Sequence, residues 1–255
     1  MKPLTIKEIE QKLFNEGVTA EELETFQLDK RKGVQRLLAR KAKHDEEAQR
    51  LRAQYEQMLK HEVECRNLGH RLIAGIDEVG RGPLAGPVTA AAVILGEDTY
   101  IAGLNDSKAL SESKREALYE EILEKAVAVS VETVSAEQID ELNIYQAAKL
   151  AMKQAVVSLQ KEPHYLLVDA MEIPLPIPQR SIIKGDANSV SIAAASIVAK
   201  VTRDRYMKKL AEEYPDYHFD RHMGYGTKAH LEALERYGIT REHRRSFSPV
   251  RKYCQ

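Results

Sequence analysis

The sequence of 255 residues contains no tryptophan, four phenylalanines and two cysteines. Cys65 and Cys254 are too few for a disulfide scaffold or a four-cysteine zinc site, and they read as free thiols in a reducing compartment. Neither sign of charge is in surplus: 38 Lys and Arg balance 39 Asp and Glu, for a formal net charge of -1. Nucleic-acid binding by bulk charge is thereby excluded, and any such contact has to come from local basic patches. No apolar run approaches the ~20 residues of a membrane span. Met1-Lys2-Pro3-Leu4-Thr5 leads into charged sequence rather than the apolar core of a signal peptide. The expectation is a soluble, cytoplasmic chain with no membrane contact. What remains is a globular composition, 43% hydrophobic and 30% charged, unlike that of a disordered chain.

Residues 1–70 differ in texture from the rest. Thr5-Ile6-Lys7-Glu8 and Thr19-Ala20-Glu21-Glu22 each fit a capping box, in which Thr and Glu satisfy free N–H groups at a helix start. Ile6, Ile9, Leu13 and Phe14 keep helical spacing, and Gly17 suits the helix end. From Glu21 to Glu64 there is no proline and one glycine, and charges alternate in sign, which predicts long exposed helices. The apolar content is too small for a large core of its own. The segment reads as a helical extension, residues 1–70, ahead of a domain at 71–255. Lys30, Arg31, Lys32, Arg36, Arg40, Lys41 and Lys43 form a basic stretch without an acidic residue. It is either a solvated helix face or a patch that tracks phosphates.

From Arg71 the pattern is that of an α/β domain. Leu72–Ile76 reads as a buried strand, and Pro87–Leu95 as its antiparallel partner across the Gly-rich turn Gly80–Gly86. A helix over 114–126, capped by Ser111 or Ser113, precedes a β-rich stretch at 127–134. A helix at 144–160 precedes the short apolar strand Tyr165–Val168, which ends in Asp169. Pro174, Pro176 and Pro178 keep the next stretch extended and out of a sheet interior. Long helices follow at 189–213 and 229–237. A hairpin followed by alternating strands and helices implies a mixed sheet.

The chemistry concentrates in few places. Asp77 and Glu78 are adjacent carboxylates at a strand end, before Gly80-Arg81-Gly82-Pro83. Neighbours on a regular strand point to opposite faces, so for both to serve one site the strand should bend or stop at Glu78. Asp169 ends an apolar strand, where ligands gather in α/β sheets. Asp186 precedes the long helix, where a carboxylate also suits the helix dipole. Asp106 and Asp204 compete for the fourth place. Asp106 suits the cap of the turn at Asn105-Asp106-Ser107-Lys108, and Asp204 a surface ion pair. An all-oxygen set of four acids suits a hard divalent cation, Mg²⁺ or Mn²⁺. Ala193, Ala194, Ala195, Ser196 and Ala199 read as close helix–sheet packing without chemistry of their own. Arg241, His243, Arg244, Arg245, Arg251 and Lys252 suit either phosphate contact or a solvated tail.

Taken in order, these motifs resemble the type 2 ribonucleases H, specifically the bacterial ribonuclease HII family. Residues 75–88 (GIDEVGRGPLAGPV) look like the family's opening signature. Asn105–Ser111, Val168-Asp169-Ala170, Lys184-Gly185-Asp186, Ile192–Val201 and Gly224–His230 are similar to its later motifs in the same order. The resemblance implies a ribonuclease H-like fold with a mixed five-stranded sheet flanked by helices, here with an N-terminal helical extension. It implies that Asp77, Glu78, Asp169 and Asp186 hold two divalent ions, and that Gly80, Arg81, Gly82 and Tyr225 bind substrate. Arg81 separates the sequence from the sister type, which usually lacks it. Ala170 stands where many members carry glycine.

What the resemblance implies for activity is hydrolysis of the RNA strand of RNA–DNA hybrids, and cutting 5′ of single ribonucleotides in duplex DNA. The products would carry 3′-hydroxyl and 5′-phosphate ends. In that chemistry two cations activate water and stabilise the leaving oxygen, while glycines beside them let backbone groups approach the ribose 2′-hydroxyl. The competing reading is a non-catalytic hybrid-binding module, which loss of one carboxylate would mark, and none is lost. The partners expected are RNA–DNA hybrid duplexes and ribonucleotide-containing DNA, with a monomeric protein. Gln11-Lys12-Leu13-Phe14 faintly resembles a sliding-clamp docking motif, but one face of an amphipathic helix is much the better account of it.

Overall fold

The computed structural model describes residues 4–254. Its contacts divide the chain into two compact units between Gln54 and Tyr55.

In the first unit both capping boxes form. Thr5 caps α1 (Ile6–Gln11) and Thr19 caps α2 (Ala20–Leu28), each paired reciprocally with the Glu three residues on. A π-turn at Lys12–Glu16 ends at Gly17, whose φ of 89° a side chain would strain. The start of α3 (Lys32–Met58) completes the unit. Ile9, Leu13, Phe26, Val34 and Leu37 form its small core. Leu13 is therefore buried, and Arg40 lies 4.3 Å from the Phe14 ring centroid. Of the clamp-like tetrapeptide, Leu13 thus belongs to the core while Gln11 is exposed, as one face of an amphipathic helix requires. Within the basic stretch, Arg31 pairs with Asp29, Arg40 with Glu10 and Lys41 with Asp45.

The second unit opens with the end of α3, followed by α4 (Lys60–Asn67). Its sheet has five strands in the order β3-β2-β1-β4-β5: β1 Ile73–Val79, β2 Val88–Leu95, β3 Ala126–Val134, β4 Tyr165–Asp169 and β5 Gln179–Ile182. The pairs β1/β2 and β2/β3 are antiparallel, while β1/β4 and β4/β5 are parallel. The sheet is mixed, as the sequence implies. β5 is a strand the sequence reading did not name.

Alternation along the central strands sorts residues between two layers. Ala74 and Ile76 of β1 and Ala90, Ala92 and Ile94 of β2 pack on α7 (Ile144–Val157), which Asn143 caps. Ala91, Val93 and Leu95 face α5 (Glu112–Lys125) and α9 (Val190–Glu213). Ser111 caps α5 and Ser189 caps α9. Tyr55 and Met58 belong to this second layer, and Cys65 to a cluster with Ile73, Leu167, Ile182 and Ile192. Residues 55–65 thus supply core side chains to the second unit. Between β3 and α7 lies α6 (Ala136–Leu142), started by a capping box of Ser135 and Gln138. Short α8 (Gly185–Asn188) precedes α9, and α10 (Phe219–His222), α11 (Lys228–Tyr237) and α12 (Ser248–Arg251) follow it. Among the described residues no helix is long and apolar enough to cross a membrane.

Candidate active site

The site is built where β1 and β4 end and α8 begins. Contrary to the expected bend, β1 continues past Glu78: Glu78 pairs with Ala90 and Val79 with Thr89. The two residues alternate along the strand, yet at its end their carboxylates still share one field: the charge of Glu78 acts on Asp77, and that of Asp169 on both. Asp77 faces α9, where Ser196 lies beside its carboxylate and favours the charged form. Ser196 in turn bonds Ser107 Oγ at 2.9 Å. Ser196 is thus more than a spacer in a small-residue stripe: it links the 105–108 turn to Asp77. The close helix–sheet packing expected of that stripe is present, since a Cβ at Gly75 would run into the backbone of Ser191.

Parallel register sets Ile76 opposite Val168, which brings Asp77 and Asp169 to the same level on adjacent strands. Asp169 Oδ1 accepts the Gly185 N–H at 2.7 Å, so the β4 end is tied to the start of α8. Asp186, one residue on, is buried and lies close to Asp106. Asp106 also caps the turn at Ser107–Ala109, accepting the Lys108 N–H at 2.9 Å. Asp204 stands apart, paired with Lys200 at 2.7 Å. After β4, Ala170 takes a left-handed conformation (φ 48°), which explains why glycine is at home there.

These acids perturb one another. Burial, then the charges of Glu78 and Asp169, push the Asp77 carboxyl well above the usual range. Burial also lifts Glu78 to about 7, with Arg81 opposing and the charge of Asp169 adding to it. Asp186 is raised by burial, then by Asp106 and Asp169, with Lys108 opposing. The Lys108 ammonium, disfavoured by burial, is nonetheless raised, because Asp106, Asp186, Asp77 and Asp169 all act on it. Lys108 is a member of this cluster that the sequence reading passed over. Among the described residues, no three His, Cys, Asp or Glu side chains converge tightly enough to hold an ion as they stand. The donor chemistry does suit a hard cation: the acids supply only oxygen, and Glu78 Oε2 is buried without a hydrogen-bond partner.

The turn after β1 borders the acids. Gly80 has φ 93°, and a Cβ there would collide with the Arg203 side chain. Gly82 has ordinary backbone and lies beside Tyr225: a Cβ there would make an ordinary contact, 3.5 Å from Cε1 of the ring. Arg81 is exposed and its Nη1 stands 3.3 Å from Glu78 Oε1. Tyr225 is 44% exposed, with its ring beside the glycine turn.

Two arginines hold this turn from beneath, and one corrects the reading of the C-terminal basic residues. Arg244 is fully buried, neither solvated tail nor phosphate contact. It donates to the carbonyls of Gly80 (2.6 Å), Arg81 (3.0 Å) and Gly86 (2.8 and 3.0 Å). Arg203 is equally buried and donates to Pro87, Ala85 and Met223 carbonyls. Neither reads as structural from sequence, because the acceptors are backbone groups far away in the chain.

His243, read with the same basic group, is also buried, its Nε2 3.0 Å from that of His230. Burial holds His243 at about 3 and His230 at about 4, so both are neutral at pH 7. His243 Nδ1 accepts the Thr240 N–H, which leaves its proton on Nε2, facing His230. His230 then carries its proton on Nδ1 and donates it to the Tyr225 carbonyl at 2.9 Å. The loop bearing Tyr225 is thus fastened at its backbone, and the ring stays free.

Comparison with known proteins bears on these residues. A family model described as Ribonuclease HII matches residues 74–250, and one described as Ribonuclease HII N-terminal domain matches 5–66. A curated Ribonuclease HII of Bacillus cereus (strain AH820) is 57% identical, over all of both chains. Among solved structures, the ribonuclease H2 of Pyrococcus horikoshii OT3 is 27% identical with a TM-score of 0.62, covering 71% of this chain and 96% of that one. The RNase HII of Archaeoglobus fulgidus, solved in complex with PCNA, is 27% identical with a TM-score of 0.58, covering 69% and 95%.

Proposed function

Since the chain belongs to the ribonuclease HII family and is a ribonuclease H, we propose that it hydrolyses the RNA strand of RNA–DNA hybrids and cuts 5′ of single ribonucleotides in duplex DNA, in the cytoplasm. The observation that carries this reading is the group of acids Asp77, Glu78, Asp169 and Asp186, Asp77 and Asp186 buried and the other two partly so, beside the Gly80-Arg81-Gly82 turn and Tyr225. All four acids are retained, which leaves the non-catalytic module without support.

In this mechanism Asp77, Glu78, Asp169 and Asp186 hold the cations, Mg²⁺ or Mn²⁺, two at a time. When bound, such ions help to ionise water and offset charge on the phosphate and the leaving 3′-oxygen. Water adds in line to phosphorus, the P–O3′ bond breaks, and 3′-hydroxyl and 5′-phosphate ends result. The protein groups supply selection. Arg244 fixes the Gly80 and Arg81 backbone and Arg203 holds the far end of the turn at Ala85 and Pro87, so that the unshielded glycine groups meet the 2′-hydroxyl that distinguishes RNA from DNA. Lys108 offers a charge to phosphate beside the acids. Incubating the protein with a duplex carrying one ribonucleotide, with Mg²⁺ and with chelator, tests the reading. A cut 5′ of the ribonucleotide only with metal is the expected result.

Tyr225 is proposed to pack on the deoxyribose 3′ of the ribonucleotide and to hydrogen-bond the 2′-hydroxyl. Tyr225→Phe should then lose on the order of 1 kcal/mol, about fivefold in kcat/KM on a single-ribonucleotide duplex. Tyr225→Ala should lose clearly more, with melting temperature little changed in both, because the ring is exposed and its loop is fastened by His230. Equal losses on junction and all-RNA substrates, with a large drop in melting temperature, would make the tyrosine structural.

The first unit is proposed to add phosphate contacts. Among the described residues Lys30, Lys32, Arg36 and Lys43 have no ion-pair partner. Replacing these four with Gln in the full chain should weaken duplex binding and reduce its log–log salt slope by about one unit per lost contact. Turnover at saturating substrate should persist. An unchanged slope would make the stretch a solvated helix face. Deleting residues 1–70 would be a poor substitute, because it strips Tyr55, Met58 and Cys65 from the core of the second unit.

A further inference from the structure

Glu62, on α4, is a buried acid that the mechanism does not use; 2% of its surface is exposed. Its Oε1 accepts three hydrogen bonds: from Ser189 Oγ at 2.5 Å, Ser191 Oγ at 2.7 Å and the Ser191 N–H at 3.1 Å. Its Oε2 is buried with no hydrogen-bond partner. A carboxylate so placed is costly, and a buried acid half-satisfied is weak support for stability alone.

The three donors sit at a junction. Ser189 caps α9 by accepting the Ile192 N–H at 3.2 Å. The Ser189 N–H donates to the Gly185 carbonyl at 2.9 Å, which closes α8, the turn that carries Asp186. The Ser191–Ile192 peptide presses on Gly75, where no Cβ fits, two residues before Asp77 on β1. One oxygen from α4 therefore ties the point where α8, α9 and β1 meet, between two of the proposed cation ligands. An anion at the N-terminus of a 24-residue helix is also favoured by the helix dipole.

We propose that Glu62 is a positioning residue for the cation site: by fixing the α8–α9 junction it sets the aim of Asp186. The inference rests on the reading of Asp186 as a cation ligand. Groups that orient a metal ligand from behind typically change metal affinity or activity by 10–100-fold when removed. It also makes α4 a support of the second unit rather than part of a detachable extension.

The test uses the full chain with Glu62→Ala, Glu62→Gln and Asp186→Asn. Mn²⁺ binding is followed by calorimetry, hydrogen exchange is followed at Ser191 and Ile192 in metal-free protein, and kcat and KM are measured well below the melting temperature. Glu62→Ala should weaken Mn²⁺ binding by about tenfold or more. It should lower kcat with little change in duplex KM, and speed exchange at both amides. Glu62→Gln keeps an oxygen that accepts the same three bonds and should stay near the parent protein. If Glu62→Ala fails to fold, Ser191→Ala, which removes one side-chain donor, should show the same changes at smaller size. Parent-like Mn²⁺ binding and kcat in Glu62→Ala, or in Ser191→Ala where it stands in, alongside weakened binding in Asp186→Asn, would overturn the inference and leave the cation reading intact. A Glu62→Gln loss as large as that of Glu62→Ala would also overturn it, by showing that charge and not the bonded junction matters. Unchanged Mn²⁺ binding in Asp186→Asn would overturn the cation reading itself, and the inference with it.

Discussion

Asp77→Asn is expected to reduce cleavage by about three orders of magnitude, some 4 kcal/mol of transition-state stabilisation, while making the metal-free protein more stable at neutral pH. Asn keeps an Oδ1 that can accept the Glu78 N–H, now bonded at 2.7 Å, so the strand end should survive. What disappears is a negative charge buried beside Glu78 and Asp169. The pH dependence follows from the raised carboxyls. A carboxyl whose pKa is higher folded than unfolded holds its proton more tightly in the native state, so stability is greatest at low pH and falls as the group ionises. For Glu78 that window runs from the ordinary 4.5 up to about 7, and the loss across it is on the order of 3 kcal/mol. Thermal melts in chelator at pH 5 and pH 8 should show the parent protein losing more stability between the two than Asp77→Asn. Added Mg²⁺ should restore the parent at pH 8 more than the variant. Near-normal turnover in Asp77→Asn at ordinary Mg²⁺, or identical pH slopes, would contradict the cluster as described.

Arg244→Ala should cost about 3 kcal/mol or more and lower the melting temperature by roughly 10 °C. The guanidinium serves three buried carbonyls with four hydrogen bonds, and alanine leaves those carbonyls and a cavity behind. Burial and the charge of Arg203 pull its pKa down to about 9, still well above neutrality. Arg244→Lys should not rescue, since an ammonium cannot span the fork of acceptors. Below the melting temperature, the alanine variant should also discriminate less between single-ribonucleotide and all-DNA duplexes, because Gly80 and Arg81 lose their support. A parent-like melting temperature would show that the turn holds itself.

Much of this architecture is legible in the sequence because it is local. The β1–β2 hairpin, the Thr5 and Thr19 capping boxes and the helices at α5, α7, α9 and α11 rest on periodicity and caps a few residues apart. The same signal would have found α6, since Ser135 and Gln138 form another capping box. β5 was not legible: it is four mostly polar residues at a sheet edge, directly after a proline-rich stretch. The candidate acids stand out because each breaks an apolar pattern or borders glycine. Their supports do not, since those are contacts between distant parts of the chain. Arg244 reaches carbonyls 158 to 164 residues away, and Glu62 reaches Ser189 across 127. A basic residue near a chain end and an acid on a charged helix both look like surface until the fold brings their partners to them.

The central claim is that the buried acids and the glycine turn form one metal-dependent site that recognises a ribonucleotide. The most direct measurement is to map the products of a DNA duplex carrying one ribonucleotide, side by side with the all-DNA duplex, in Mg²⁺ and in chelator. The account predicts one cut, 5′ of the ribonucleotide, with 3′-hydroxyl and 5′-phosphate ends, in Mg²⁺ and in neither control. Cleavage that persists in chelator, or that falls equally on the all-DNA duplex, would contradict it.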